Sequence, residues 1–515
     1  MKTTRRLLDR PAALKELASR EFDCLIVGGG ATGLGCAVDA ASRGYTTALV
    51  EAHDFAQGTS SRSTKLVHGG VRYLEQLDFG LVREALAERA IMHDNAPHLV
   101  HDLPFVVPHY TWWEAPFYGV GLKLYDALAG RRNLAPSRHL SREETLAAIP
   151  NVSQDGLLGG VRYHDGQFDD ARMAITLAQT AAEHGAVVAN RVRVRSLLVR
   201  DGHTCGASCT DEHGGGASLD IRAKCVINAT GIWSDALRRQ ADPATPAIIE
   251  PAQGVHLVFD GSFAPSGEAI MVPHTDDGRV LFVIPWHGRT LVGTTDTPMK
   301  SPALEPRATE EEIDFILRNA ARYMQRDPTR ADIRAIYAGM RPLVHEGGVD
   351  APSKKLSRSH KVEVATSGLV SITGGKWTTY RRMAQDTVDA AISTGRLPRA
   401  PCRTETLRVH GAPDRPVAAG DRDGGRNDWR LAYGTDWSAI QSLQPIDGEA
   451  LDQPIAEGLP WTIRCAKWAV EHEMALSVDD ILSRRTRARF LDTRAAEGAE
   501  ATLNRAIPGW LANVS

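Results

Sequence analysis

The hydrophobic and polar positions near the start of the chain follow the pattern of a β-α-β unit. Residues 22–27 form a mostly apolar run, which is typical of a strand buried in a parallel sheet. An alanine-rich stretch over about 34–43 predicts a helix, which Gly44 ends. A second strand is predicted over 46–50, and Glu51 follows it directly. This order predicts an α/β fold.

The same kind of pattern continues along the rest of the chain. One helix is predicted over 169–185, with Asp169 or Asp170 as its N-cap, and another over about 378–393. The apolar runs that predict further strands are 186–199, 219–228, 280–285, 290–293 and 369–372. The third and fourth of these runs suit an antiparallel sheet. From about residue 400 onward the chain is predicted to be mostly helical.

A glycine-rich turn joins the first predicted strand to the first predicted helix. Residues 28–33, GGGATG, contain the pattern G-x-G-x-x-G. Gly28 permits the tight turn, Gly30 lets the backbone approach a pyrophosphate, and Gly33 allows close packing of helix on strand. The helix N-terminus offers N–H groups to phosphate, and Glu51 follows at the distance where a carboxylate binds a ribose. The unit predicts dinucleotide binding but does not separate NAD from FAD.

The segment after Glu51 bears on that choice. Residues 57–75, QGTSSRSTKLVHGGVRYLE, are mostly small or polar and are interrupted by glycine. Short hydroxyl side chains and glycines suit a segment that wraps closely around a ligand. A nicotinamide dehydrogenase would instead continue with alternating strands and helices. This segment therefore favours FAD.

With the run HGGVRYLE at 68–75, the sequence resembles the FAD-dependent glycerol-3-phosphate dehydrogenases, flavoproteins of the glycine/D-amino-acid-oxidase type. Further matching motifs are NATG at 228–231, IPW at 284–286, GTTD at 293–296, GMRPL at 339–343, Ser357-Arg358 and GGKWTTY at 374–380. The resemblance covers about 20–395 well and 468–492 more loosely, whereas 409–460 matches poorly. Neither an iron–sulfur nor a calcium-regulated variant is expected, because no cysteine-rich extension or EF-hand pattern is present.

The resemblance implies the fold class and a division of the chain. The expected fold is α/β, with a Rossmann-like FAD-binding domain, an antiparallel-sheet substrate domain and a helical C-terminal cap. The predicted division is an N-terminal arm at 1–18, an FAD-binding domain at 19–80, 151–244 and 338–398, a substrate-binding domain at 81–150 and 245–337, and a helical C-terminal domain at 399–515.

FAD is the predicted cofactor, and no metal is expected. The residues predicted to contact FAD are Gly28, Gly30, Thr32, Gly33, Glu51, Thr59, Ser60, Ser61, Lys65, Leu66, His68, Gly69, Gly70, Gly231, Gly374, Gly375 and Thr378. Of the seven cysteines only Cys205 and Cys209 are close in sequence, and no histidine motif accompanies them. This spacing does not match a zinc or iron–sulfur site.

The reaction implied by the resemblance is oxidation of sn-glycerol 3-phosphate to dihydroxyacetone phosphate by hydride transfer to FAD, with the electrons passed to ubiquinone or another membrane quinone. A dianionic phosphate favours arginine, whose planar fork donates paired hydrogen bonds to phosphate oxygens. Arg341 and Arg358 lie in matching motifs and are the predicted phosphate ligands.

The predicted catalytic residues are His256, Lys376 and Arg72. His256 lies in a strand-like stretch, and an imidazole that is neutral near pH 7 suits proton abstraction. The alternative for His256 is a core histidine bonded to backbone. Lys376 is predicted to stabilise developing negative charge, while Arg72 and Tyr73 hold the substrate near the flavin.

The resemblance further implies peripheral attachment to the cytoplasmic face of the inner membrane. No run approaches 18 uninterrupted apolar residues, so no membrane-spanning helix is expected. Residues 110–125 are rich in Trp and Tyr, which suits either a membrane interface or an ordinary core. A basic cluster of Arg484, Arg485, Arg487 and Arg489 suits either anionic lipid or a solvated helix face.

Composition narrows the other partners. The 515 residues suggest about two to four domains. The formal net charge of -3 excludes a strongly basic nucleic-acid binder on bulk electrostatics. The N-terminus has no apolar core of a secretory signal. No nucleic acid is therefore expected as a partner, the resemblance implies glycerol 3-phosphate, a quinone and a membrane surface, and a homodimer is compatible with the sequence.

Three other functions stay open at this point. A soluble glycerol-3-phosphate oxidase that reduces oxygen shares most of the motifs, and peroxide yield distinguishes it from a quinone-reducing enzyme. An amine or amino-acid oxidase of the same flavin fold would need a carboxylate-binding site instead of these cations. A non-catalytic flavin-binding regulator would not be bleached by glycerol 3-phosphate.

Overall fold

The structure is a computed structural model of the chain, and it describes residues 7–71, 78–345, 356–357, 360–414, 428–446 and 448–514. Three residues with predicted roles, Arg72, Tyr73 and Arg358, lie outside the described residues.

The elements of the described residues follow the chain in this order. The helices are α1 (Arg10–Ser19), α2 (Ala31–Ser42), α3 (Phe79–Asn95), α4 (Glu114–Ala129), α5 (Arg142–Ala148), α6 (Asp170–Glu183), α7 (Ser234–Ala241), α8 (Glu310–Ala321), α9 (Tyr380–Thr394), α10 (Trp437–Ser442), α11 (Ile463–His472), α12 (Ala488–Leu491) and α13 (Thr493–Ala512). Short 3-10 helices lie at Thr59–Ser61, Gly130–Arg132, Gly231–Trp233, Gly261–Phe263, Arg330–Asp332, Trp377–Thr379 and Trp429–Asp436, and a π-helix at Asp480–Arg485.

The strands are β1 (Glu21–Val27), β2 (Thr47–Val50), β3 (Leu66–Val67), β4 (Val100–His109), β5 (Arg138–Ser141), β6 (Gly159–Phe168), β7 (Val187–Ala189), β8 (Val192–Arg200), β9 (His203–Asp211), β10 (Ser218–Asn228), β11 (Ile249–Asp260), β12 (Ala269–Val272), β13 (Leu281–Trp286), β14 (Arg289–Gly293), β15 (Thr297–Pro298), β16 (Ala335–His345), β17 (Leu356–Ser357), β18 (His360–Val364) and β19 (Val370–Gly374).

The first sheet has the strand order β18-β19-β10-β1-β2-β7, and the hairpin β8-β9 extends it from β10. β1 pairs in parallel with β2 and with β10, so that Val27 lies beside Val50 and Asn228 at the carboxyl ends. Helices α2, α6 and α9 pack on one face of this sheet, and α1 packs on the other. The predicted β1-α2-β2 unit is confirmed, and its carboxyl edge is where ligands bind in such sheets.

The helices of this first layer begin within three residues of their predicted starts, at Ala31, Asp170 and Tyr380. The Asp169 side chain caps α6 by accepting a hydrogen bond of 3.0 Å from the backbone N–H of Arg172. Almost every residue of α2 is buried, because its small side chains let it lie between the sheet and the two neighbouring helices.

The second sheet has the strand order β17-β16-β11-β14-β13-β12-β4-β6-β3, with β15 paired to β11 and β5 paired to β6. Its ladders are antiparallel except between β12 and β4. The antiparallel pairing predicted for 280–285 and 290–293 is confirmed in β13 and β14. In the central ladders, His256 of β11 lies opposite Gly293 of β14 and Tyr337 of β16.

Sheet membership and the predicted division of the chain differ at four strands. β3, β6 and β17 fall within the predicted FAD-binding segments and β16 crosses position 337/338, yet all four are hydrogen-bonded into the second sheet. A crossing strand of this kind has no sequence signal of its own, since its partners are far away in the chain. The domain boundaries themselves stay a prediction.

The C-terminal residues pack over the second sheet. Helices α11, α12 and α13 share one hydrophobic cluster with side chains of β4, β6 and β13. The Trp510 ring of α13 is buried there, and its Nε1 donates a hydrogen bond of 2.6 Å to Glu449.

The arginine-rich stretch near the C-terminus lies inside the protein. Arg484, Arg485 and Arg487 are each no more than 2% exposed, while Arg489 is partly exposed and pairs with Glu500. The prediction that this cluster meets anionic lipid or water is therefore wrong for the three buried arginines. The buried carboxylates of Asp54 and Asp170 accept hydrogen bonds from these guanidinium groups and compensate for their loss of water.

Candidate functional site

Two cavities of the described residues meet between the carboxyl edge of the first sheet and the second sheet. One has a volume of about 550 Å³ and the other of about 850 Å³. Their walls share six residues, Thr59, Pro342, Gly374, Gly375, Lys376 and Trp377. The two cavities therefore form one elongated space, which suits a long ligand with a second molecule beside it.

The wall of the first cavity is the glycine-rich turn between β1 and α2. Gly28 has φ +114, and a Cβ there would lie 2.5 Å from the Ala229 carbonyl oxygen. A Cβ on Gly33 would overlap the Gly28 carbonyl oxygen, so helix and turn pack at backbone distance. Gly30, at the N-cap of α2, has no side chain to cap the helix. The Ala31 N–H donates to the Ser60 Oγ at 2.9 Å, so the N–H groups that follow it in the first turn of α2 are the ones that can bind a phosphate in the cavity, which Gly30 and Thr32 line.

Glu51 closes the far side of this cavity. One carboxylate oxygen accepts a hydrogen bond of 2.6 Å from the Gly29 N–H, and the other accepts one of 2.7 Å from the His53 N–H. Burial raises the pKa of Glu51, although these N–H groups favour its charged form. The carboxylate is thus held in one position on the cavity wall, where it can accept further hydrogen bonds from a ribose diol.

A second glycine pair, Gly374 and Gly375, lies where the two cavities join. Both have positive φ, +74 and +78, which glycine adopts readily. The chain then enters the short helix at Trp377–Thr379 and continues into α9. The Trp377 Nε1 donates a hydrogen bond of 2.9 Å to the Ser60 carbonyl oxygen. Trp377 is not among the predicted site residues, and its only sequence signal is its place inside the GGKWTTY motif.

His256 lies in the wall of the second cavity. Its ring stacks on Tyr337 at 4.8 Å between centroids, and its Nε2 lies 3.0 Å from the Thr64 Oγ1. Its Nδ1 is buried and has no hydrogen-bond partner within the described part of the chain. Burial, together with the positive charges of Lys65 and Arg341, lowers the pKa of His256 well below 6.5. His256 is therefore a neutral imidazole, and its nitrogens are not both satisfied by backbone as in an ordinary core histidine.

Arg341 of β16 lines the same cavity. Its Nη1 donates to the Asp296 carboxylate at 2.9 Å and to the Thr295 carbonyl oxygen at 3.1 Å, and its Nη2 donates to the Thr294 Oγ1 at 3.1 Å. A Cβ on Gly254 would overlap the guanidinium, so glycine makes room for it. These contacts hold the arginine in one orientation at the wall.

Arg279 is a second cation of this cavity that the sequence analysis missed. It contacts the carboxylates of Asp277 and Asp296, at 2.8 Å and 3.4 Å. It lies in a turn outside every motif, so the sequence carried no signal for it.

The predicted site residues divide by position. Those that line one or both cavities are Gly28, Gly30, Thr32, Glu51, Thr59, Ser60, Leu66, His68, Gly70, Gly231, His256, Arg341, Gly374, Gly375, Lys376 and Thr378. Gly33, Ser61, Lys65 and Gly69 lie outside both linings. Gly69 donates its N–H to the Tyr125 hydroxyl at 2.8 Å, and Gly33 packs against Gly28.

Lys65 is directed into the protein. Its Nζ donates hydrogen bonds to the Asp170 carboxylate at 2.7 Å and to the Ser61 carbonyl oxygen at 2.8 Å. Burial lowers the pKa of Lys65 to about 7, although the neighbouring Asp170 favours its charged form. Lys65 therefore stabilises the chain around the cavity and does not contact a ligand inside it.

The second cavity has an apolar part as well as a cationic one. Its apolar lining consists of Leu66, Val71, Leu81, Phe105, Tyr118, Tyr163, Met271, Val280 and Phe282. Tyr118 belongs to α4, so this part of the cavity lies against the inner face of that helix.

The outer face of α4 is apolar and exposed. Trp113, Phe117, Val120 and Leu124 follow one another at helical spacing, and Val120 is 72% exposed. The aromatic stretch thus serves as core on one face and as a solvent-facing stripe on the other. Among the described residues no helix combines the length and the apolar character that crossing a membrane requires. No metal-binding group of three or more His, Cys, Asp or Glu side chains occurs there either.

Comparison with known families divides the chain in two. The family described as FAD dependent oxidoreductase matches residues 23–381. The C-terminal domain of alpha-glycerophosphate oxidase matches residues 402–507. Among curated proteins, mitochondrial glycerol-3-phosphate dehydrogenase from Mesocricetus auratus is 43% identical over 505 residues, covering 93% of this chain and 69% of that protein. The protein of the same name from Homo sapiens is 42% identical with the same coverage.

Solved structures give the same result. A glycerol-3-phosphate dehydrogenase from Bacillus halodurans, complexed with FAD, has a TM-score of 0.79 at 31% identity and covers 98% of this chain and 94% of that one. A glycine oxidase from Geobacillus kaustophilus has a TM-score of 0.54 at 20% identity, covering 76% of this chain and 99% of that one, and shares the fold. These findings confirm the predicted fold class.

Proposed function

The chain belongs to the FAD-dependent glycerol-3-phosphate dehydrogenases, with FAD as cofactor, and from this premise we propose that it oxidises sn-glycerol 3-phosphate to dihydroxyacetone phosphate and passes the electrons to a membrane quinone. One observation carries the proposal. A buried neutral histidine and an oriented arginine line the same cavity beside the Gly374-Gly375 turn. An alcohol that carries a phosphate needs both groups.

The cofactor fits the residues that are present. The first turn of α2, Glu51 and Gly231 would hold the dinucleotide part in the first cavity. Thr59, Gly374 and Gly375, which line both cavities, would hold the part that reaches the substrate. When bound, FAD supplies the acceptor for the hydride that leaves the substrate carbon.

In this proposal His256 removes the proton of the substrate hydroxyl. Its low pKa keeps a lone pair available at neutral pH, and Thr64 and the stacked Tyr337 hold the ring in place. Lys376 lines both cavities and would balance negative charge that develops on the substrate oxygen.

Arg341 would bind the phosphate, since Thr294 and Asp296 already fix the plane of its guanidinium. Arg72, Tyr73 and Arg358 stay predictions from the sequence motifs. An amino-acid oxidase would use such a cavity for a carboxylate. Two arginines, Arg279 and Arg341, line this cavity, which favours a doubly charged phosphate over a singly charged carboxylate.

Anaerobic reduction of the bound cofactor tests the substrate. Adding glycerol 3-phosphate to the purified yellow protein without oxygen is expected to bleach its visible absorbance, whereas glycerol and glycine at the same concentration are not. Bleaching by glycine, or the absence of bleaching by glycerol 3-phosphate, would contradict the proposed reaction.

The electron acceptor is the finer part of the proposal. The apolar lining beside α4 and the exposed stripe on the same helix support an acceptor that arrives from lipid. Turnover with glycerol 3-phosphate is expected to reduce a short-chain quinone with little peroxide. A peroxide yield that matches substrate consumption would instead identify a glycerol-3-phosphate oxidase.

Peripheral membrane attachment through α4 gives a direct prediction. The triple variant Phe117→Ser, Val120→Ser and Leu124→Ser is expected to bind anionic liposomes about 100-fold more weakly, because each lost apolar side chain removes roughly 1 kcal/mol of burial in the interface. Flotation of protein with liposomes measures the bound fraction.

The matched control replaces exposed apolar residues of the first sheet. Val199 and Val364 are 55% and 51% exposed and lie on β8 and β18. The double variant Val199→Ser and Val364→Ser is expected to float like the unmodified protein. Equal flotation of the triple variant and the control would show that α4 is not the contact.

A further inference from the structure

We propose that the C-terminal segment 473–487 sets how tightly the protein binds FAD, by holding the chain between β2 and β3 in its binding conformation. This chain, residues 51–65, is called the β2–β3 connection. The inference uses only the cofactor of the family and goes beyond the proposed reaction, because it assigns a role to residues that form no part of either cavity wall.

The two sides of the β2–β3 connection face different partners. Eleven of its fifteen residues line one or both cavities. The four that do not are Asp54, Phe55, Ser61 and Lys65. Asp54 and Ser61 contact arginines of the segment 473–487. Lys65 contacts the Asp170 carboxylate, which also accepts a hydrogen bond from Arg487 of that segment. No described residue of that segment lines either cavity.

Asp54 is the first attachment point. The Arg485 guanidinium donates to both of its oxygens, at 2.7 Å and 2.9 Å, and the Arg484 Nε donates to it at 2.5 Å. Burial opposes ionisation of Asp54, but the charges of Arg485 and Arg484 outweigh it and hold its pKa well below the ordinary value. Arg485 is in turn anchored by the Glu473 carbonyl oxygen at 2.8 Å.

Ser61 is the second attachment point. Its carbonyl oxygen accepts a hydrogen bond of 2.7 Å from the Arg487 Nη2 and one of 2.8 Å from the Lys65 Nζ. Arg487 and Lys65 both contact the Asp170 carboxylate, at 3.1 Å and 2.7 Å. The adjacent residue, Ser60, is a cavity residue whose Oγ accepts a hydrogen bond from the first N–H of α2.

The geometry therefore places a buried ion pair at Asp54 and a buried hydrogen bond at Ser61, each next in the chain to a residue that lines the first cavity. Without these contacts, the β2–β3 connection populates its binding conformation for a smaller fraction of the time. The apparent dissociation constant of a ligand rises in inverse proportion to that fraction. Asp54 and Arg485 are consequently positioning residues for FAD.

The test compares two buried carboxylates. Asp54→Asn removes the charge that Arg484 and Arg485 share. Asp39→Asn is the matched control, because Asp39 is equally buried, pairs with Arg43 at 2.5 Å and lies outside both cavity linings. The dissociation constant of FAD is measured by titrating apoprotein and following flavin fluorescence, and the stability of the same apoproteins is measured by urea unfolding.

Asp54→Asn is expected to raise the dissociation constant of FAD about 10-fold or more, while Asp39→Asn leaves it within about 2-fold of the unmodified value. A purely structural role would lower the urea midpoint of both apoproteins without changing FAD affinity. Unchanged affinity in folded Asp54→Asn, or equal weakening by Asp39→Asn, overturns the proposal.

A milder variant covers the case in which Asp54→Asn does not fold. Arg487→Met removes one of the two donors to the Ser61 carbonyl oxygen and leaves Lys65 in place. It is expected to weaken FAD binding about 3-fold to 10-fold, and unchanged affinity then overturns the proposal. The FAD affinities of both variants are measured without substrate, so this test stands even if glycerol 3-phosphate fails to bleach the protein.

Discussion

Replacing His256 by alanine is expected to lower kcat by about 10²- to 10⁴-fold, with a much smaller change in KM. The loss follows from removing the base that takes the hydroxyl proton, while the phosphate contacts that govern binding stay in place. Steady-state kinetics with glycerol 3-phosphate and a quinone measure both constants. An unchanged kcat would remove His256 from the role of base.

His98 supplies a matched control for this substitution. It is as deeply buried as His256, and burial lowers its pKa to about 3. It lines neither of the two cavities of the site. His98→Ala is therefore expected to keep kcat near the unmodified value, so a loss common to both variants would indicate general damage to the fold.

The direction of the His256 pKa also fixes the pH dependence. A histidine with its ordinary pKa of 6.5 would become protonated and inactive as a base when the pH falls to that value. Because the pKa of His256 lies well below 6.5, kcat is expected to hold between about pH 8 and about pH 6.5. A fall of kcat centred near pH 6.5 would contradict the neutral imidazole.

Replacing Arg341 by alanine is expected to lower kcat/KM for glycerol 3-phosphate by at least about 100-fold, because a charged hydrogen bond contributes about 1.5–3 kcal/mol and the guanidinium fork offers two to a phosphate. Glycerol has no phosphate and would react only at far higher concentration, and its kcat/KM under those conditions is expected to change little. Arg341→Lys keeps the positive charge without the planar fork, so its kcat/KM for glycerol 3-phosphate is expected to lie between those of the unmodified protein and of Arg341→Ala.

The ratio of the two kcat/KM values is the decisive measurement. Arg318→Ala serves as the control, since Arg318 is exposed and pairs with Asp276 outside the cavity lining. If Arg341→Ala lowers activity on glycerol and glycerol 3-phosphate by the same factor, Arg341 does not bind the phosphate.

Parts of the site were predictable because they depend on neighbours in the chain. The turn at 28–33 binds β1 to α2 directly, and the G-x-G-x-x-G pattern states the backbone contacts that the structure shows at Gly28 and Gly33. The N-cap of α6 is equally local, since Asp169 reaches an N–H three residues ahead.

Other parts depended on pairs that lie far apart in the chain. Whether His256 is a core residue or a site residue was open from the sequence, because its surroundings depend on Thr64 of the β2–β3 connection and on Tyr337 of β16. Trp377 and Arg279 are recognised as site residues only from the three-dimensional structure, in which both line the second cavity.

The sequence alone predicted the β1-α2-β2 unit, the flavoprotein family and a set of site residues, most of which line the cavities, because periodicity and short motifs are local properties. The tertiary structure was needed to show that α4 has one buried and one exposed apolar face, and that Arg484, Arg485 and Arg487 are buried partners of carboxylates instead of surface charges. A run of arginines has the same appearance in either state. Its environment is set by partners such as Asp54, which lies 431 positions from Arg485, and only folding brings such groups together.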